Sequence, residues 1–299
     1  MVAGLVLVAG LALPVLSPQP AHAVPPGTYA YVTNTSSNSV SVVDTSTNTV
    51  TATIPVGNGP NGVAVTPDGA FAYVANTNSD SVSVIDTSTD TVTATVPVGD
   101  GPFWAAVTPD GAFVYITNFN SGTVSVIDTS TNTVTATVPV GNGPNGVAVT
   151  PDGAFAYVTN FLDNSVSVID TSTNTVTATV PVGTSPEEVA VTPDGAFAYV
   201  TNTNSNSVSV IDTSTNTVTA TVPVGNGPVG VAVTPDGAFA YVANANGDSV
   251  SVIDISTNTV TATIPVGDGP VGVAVTPDGA FAYVANANGD SVSVIDIST

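Results

Sequence analysis

The side chains in this sequence that could do chemistry are almost all carboxylates. Among 299 residues there are 22 Asp and Glu, no Lys, Arg or Cys, and a single His, His22. Beyond that histidine, nucleophile–base pairs of the Ser–His or Cys–His kind and imidazole metal sites are excluded. Acid–base work by carboxyl groups remains. The two glutamates are neighbours, Glu187 and Glu188. Successive residues of an extended segment point to opposite faces, so the two cannot both flank one bond. A glycosidase-like pair would instead join one of them to Asp163. Calcium would need Asp80 with Asp100, or Asp248 with Asp268, in loops of one face, but no spaced ligand loop accompanies them. No metal and no cofactor is expected.

These residues stand out because everything around them repeats. A Tyr-Val/Ile-Thr/Ala-Asn motif begins at Tyr31, Tyr73, Tyr115, Tyr157, Tyr199, Tyr241 and Tyr283, each step being 42 residues with no insertion. A fixed period of that size marks a repeat architecture. Seven Asp of the Asp44 class and six of the Asp68 class recur with it and have turn roles. The motif tyrosines and the phenylalanines of the Phe71 class are core by spacing. The departures cluster: Phe103-Trp104 and Glu187-Glu188 replace Asn-Gly or Val-Gly, and Phe119 and Phe161 replace Thr or Ala.

Each unit reads as four short strands. GVAV from Gly62 ends at Pro67-Asp68-Gly69, where Pro fixes φ and Gly supplies positive φ. AFAYVAN places Phe71, Tyr73 and Ala75 on one face and Ala72 and Val74 on the other. SVSVIDT closes in an Asp-Thr-Ser-Thr turn. TVTATVPVG carries Pro97, which cannot donate a ladder bond and suits an edge strand. Four antiparallel strands per unit, the fourth at an edge, describe a propeller blade. The two variable positions, at the start of the innermost strand and in the loop between second and third strands, open on one face. Phe103, Trp104, Phe119, Phe161, Asp163, Glu187 and Glu188 are therefore the candidate ligand-binding residues, contributed by three consecutive blades. Rings give apolar platforms and carboxylates accept hydroxyl hydrogen bonds, which suits carbohydrate or protein ligands.

The segments YVTN, SVSVIDT, TVTATIPVG and VTPDG resemble the YVTN-repeat β-propeller family of secreted and surface proteins, across residues 28–299. The resemblance implies a surface-layer or adhesin-like role. Some periplasmic redox enzymes have similar propellers, but their His ligands find no matching position here. The expected fold is all-β: a seven-bladed β-propeller of four-stranded antiparallel blades spanning 24–299. Counting gives 26 strands, lacking the inner strand of the first blade and the outer strand of the last, which reads as a C-terminal truncation.

Residues 1–23 read as a signal peptide: an apolar run from Val2 to Leu16, then Ala21-His22-Ala23 before the cut. The protein is expected to be secreted or at the cell surface. Its formal charge of −22 without one cationic side chain excludes nucleic acid and anionic membrane surfaces as partners. Mean carboxylate spacing of roughly 20 Å exceeds the Debye length of about 8 Å, but the repeat stacks equivalent Asp residues into rings at shorter spacing, so salt or divalent cations should add some stability. The expectation is a noncatalytic binding or surface scaffold module for carbohydrate or cell-wall material. Its alternative is an extracellular carboxylate-dependent hydrolase or lyase.

Overall fold

Alternating small and branched side chains, punctuated every few residues by turn chemistry, leave each repeat little choice but a tight antiparallel meander. The computed structural model describes residues 5–9 and 28–298. The second blade is representative: Pro60–Val65, Phe71–Asn76, Ser81–Asp86 and Thr91–Pro97 pair in that order. Asp68 Oδ1 accepts hydrogen bonds from the Thr66 hydroxyl and the Ala70 N–H, and Gly69 takes φ 73°, closing the first turn. Asp86 Oδ1 accepts from the Ser88 N–H and hydroxyl, closing the second. Thr91–Pro97 lies at the sheet edge, where the proline needs no donor.

Seven such sheets pack face to face around a ring of inner strands. Tyr73, Ala75, Val82 and Val84 of the second blade bury against Val114, Ile116 and Ile127 of the third, and the other seams repeat this. Each fully buried tyrosine also reaches across its seam. Tyr73, Tyr115, Tyr157 and Tyr199 donate their hydroxyls to Asn132, Asn174, Asn216 and Asn258 Oδ1. Tyr283 donates to Asn48 Oδ1 at 2.7 Å, joining the last blade to the first. Of the phenylalanines of the Phe71 class, Phe71, Phe155, Phe197 and Phe239 pack half-buried against the seam cores, whereas Phe113 and Phe281 depart from the expected core role and are 36% and 39% exposed.

There are 27 strands among the described residues, one more than the repeat count gave. The addition is Leu5–Ala9, which pairs antiparallel with Thr28–Asn34 and occupies the inner-strand place of the first blade. That segment falls in the stretch read as a signal peptide, while the expected cut after Ala23 lies outside the described residues. The last blade has three strands, Pro270–Val275, Phe281–Asn286 and Ser291–Asp296.

Candidate functional site

The inner strands carry the site, and a bulge in each one from the second blade to the seventh aims it. In the fifth blade Pro186 pairs with Asn202 and Val189 with Val200, so Glu187 and Glu188 together face the single residue Thr201. Phe103 and Trp104 face Thr117 in the same way. Such two-against-one pairings bend a strand and re-aim its side chains. The motif threonines pin the bulge from both sides. Thr201 Oγ1 accepts from the Glu188 N–H at 3.0 Å, and Thr159 of the preceding blade donates to the Glu187 carbonyl at 2.6 Å.

Around the channel mouth the first bulge position runs Asn61, Phe103, Asn145, Glu187, Val229, Val271 from the second blade to the seventh. The residue after each motif asparagine supplies a second tier. In it Phe119 and Phe161 stand beside Phe103: both ring-to-ring separations, Phe103 to Phe119 and Phe119 to Phe161, are 6.2 Å, with tilts of 44° and 51°. The three half-buried rings form one arc over the third and fourth blades. Glu187 follows on the fifth. Its carboxylate accepts the Asn145 amide N–H and the Thr203 hydroxyl, and burial raises its pKa from 4.5 to about 7 against the pull of those two donors. Thr203 begins the only helical turn among the described residues, Thr203–Ser205.

Glu188 turns the other way, as alternation required. Its carboxyl oxygen accepts the Val231 N–H of the sixth blade at 3.0 Å. Desolvation, and secondarily the charge of Glu187, pushes its pKa up to about 8. Trp104 holds the corresponding place in the third blade and packs on the buried cluster shared with the fourth. Asp163 stands outside the group. It is exposed, and its two oxygens accept the backbone and side-chain N–H of Asn142, which lowers its pKa. A two-carboxylate pairing of Asp163 with either glutamate is thus not what the fold brings together. Asp80 and Asp248 accept the Gly101 and Gly269 N–H groups, and no cluster of three or more His, Cys, Asp or Glu occurs among the described residues.

Sequence reasoning missed Asn145, Thr203, Thr159 and Thr201. The signal was present in the third motif position, which is Thr in some copies and Ala in others, and in Asn145, which lies one repeat before Glu187.

The chain matches the family described as "Lactonase, 7-bladed beta-propeller" over residues 20–137, 88–222 and 211–299. A chain of the Kuenenia stuttgartiensis hydrazine synthase has the same fold, with a TM-score of 0.84 and 28% identity over 90% of this chain and 92% of that one. The PE-PGRS family protein PE_PGRS18 of Mycobacterium tuberculosis (strain ATCC 25618 / H37Rv) is 64% identical over 44 residues, 15% of this chain and 10% of that protein. That stretch is about the length of one repeat, a tenth of the relative's length. The family and structural likenesses overturn the expectation of a noncatalytic scaffold, since both point to propellers of enzymes. The inner-strand bulge adds the physical reason: it desolvates a carboxyl group at the mouth, which the sequence reading took as a hydrogen-bond acceptor for a ligand and kept as an acid or base only in the alternative.

Proposed function

Because the chain belongs to the lactonase family of seven-bladed β-propellers, we propose that it is a hydrolase that opens a lactone or a related ester at the mouth of its central channel. The observation that carries this reading is Glu187, a carboxyl group with a pKa of about 7 held between Asn145 and Thr203 beside the aromatic arc. A general base works best when its pKa lies near the operating pH. In the proposed reaction the Glu187 carboxylate takes a proton from water while the water oxygen bonds to the ester carbonyl carbon. The tetrahedral oxyanion then collapses and the C–O ester bond breaks. The departing alkoxide recovers the proton from Glu187, giving a hydroxy acid. Asn145 carries a second amide hydrogen that can polarise the carbonyl. Glu188, tied to the sixth blade, keeps its proton near neutrality and so places no negative charge beside the ionised form of Glu187.

The motif resemblance to secreted YVTN propellers and the leader-like residues 1–23 support placing this activity outside the cell. The test is proton release from a panel of γ- and δ-lactones and aryl esters. We expect turnover that rises through about pH 7 and falls by about 10²–10⁴ in Glu187→Gln. No turnover by folded protein anywhere on the panel, or full activity in Glu187→Gln, would overturn the reading.

A further inference from the structure

We propose that the arc of Phe103, Phe119 and Phe161, closed by Glu187, seats the alkylammonium head of a cationic ester. Three half-buried rings in mutual contact make a surface that excludes water yet carries negative π faces. A quaternary ammonium over such faces is attracted by the ring quadrupoles, most strongly when desolvated. The polar atoms beside the arc are acceptors. Glu187 adjoins it on the fifth blade. On the second, Asn61 is 5% exposed, donates its amide to Thr77, and has an Oδ1 with no partner. A buried acceptor without a donor is satisfied by a ligand that brings one, or by a cation.

Charge points the same way. The loops on this face carry Asp80, Asp100, Asp163, Asp248, Asp268 and Asp290, all exposed, and the chain has no Lys or Arg to offset them. A mouth of that sign concentrates cations and repels anions. A phosphorylated or carboxylated substrate would meet no cationic partner anywhere in the protein. The remaining mouth positions, Val229, Val271, Ala245 and Ala287, are small or aliphatic and add no charge to the mouth.

The place of the ester bond rests on the hydrolase reading, but the head-group seat can be tested without turnover. Choline and its neutral carbon isostere, 3,3-dimethylbutan-1-ol, are titrated into the full chain by calorimetry and by Trp104 fluorescence. Acetylcholine and 3,3-dimethylbutyl acetate are then compared as substrates. We expect choline to bind at least about tenfold more tightly than the isostere, the preference shrinking with added salt. Phe119→Leu, which keeps apolar bulk without the π face, should lose most of that preference while its circular dichroism spectrum is retained. Equal binding of the two, no choline binding, or an undiminished preference in Phe119→Leu would overturn the seat, even if neutral lactones are hydrolysed. Choline binding without hydrolysis of any ester would uphold the seat and overturn the hydrolase reading.

Discussion

Glu187 and Glu188 are one residue apart and have opposite tasks. Both carboxyl groups are desolvated, so each is neutral more readily in the folded chain than in the unfolded one. A raised folded pKa gives stability that is fully present below the ordinary value of 4.5 and is lost as pH rises through about 7 for Glu187 and about 8 for Glu188. The turn aspartates act in reverse. Asp110 and Asp152, for example, are held below their ordinary value by threonine hydroxyls and backbone N–H groups, and their contribution fades as the solution turns acidic. Stability should therefore peak at mildly acidic pH. Glu188→Gln keeps an oxygen for the Val231 N–H and removes the titration. Between about pH 6 and 9, wild type should lose on the order of 3 kcal/mol more unfolding free energy than this variant. Parallel pH profiles in urea melts would show that the carboxyl group is better solvated than its setting implies.

The inner strand is the element that makes a site out of single residues. Its bulge puts two side chains opposite one, sending the first to the mouth and the second into the seam with the next blade. Where both need not act, the second position is glycine, because backbone passes there. A Cβ on Gly146 would lie 2.7 Å from the Glu187 carbonyl oxygen and 2.8 Å from the Glu188 Cα. Gly146→Ala must push the fourth and fifth inner strands apart, at about 1–3 kcal/mol. Chemical denaturation reads the cost, and a loss under about 0.5 kcal/mol would mean the strands yield freely. The strand, its position in the blade and its mouth-facing start were legible from the period, the PDG turn and the edge proline. The bulge was not. A period-two pattern assigns neighbours to opposite faces, and only pairing with the Thr117 and Thr201 motif strands shows the extra residue.

The ring is closed by repetition of one seam, in which a buried tyrosine of five of the blades reaches an asparagine turn of the next. Its charge is the weak point, since all 22 carboxylates lack a cationic side chain to pair with. Raising NaCl from about 0.02 to 0.5 M should raise the thermal midpoint by a few degrees, through screening of the like charges stacked around the ring. A midpoint that ignores salt would mean that the aspartates lie too far apart to interact. By itself the sequence determined the all-β class, the seven-blade repeat, the face on which the departures gather and the chemistry they exclude, because a 42-residue period repeats both pattern and turn. Tertiary structure decided which departures meet. It drew Phe103, Phe119 and Phe161 into one arc, sent Trp104 into a seam, left Asp163 outside, and placed Asn145 of the fourth blade and Thr203 of the fifth on Glu187. The physical reason is that desolvation and cross-blade hydrogen bonds arise only when different repeats are packed around a common axis.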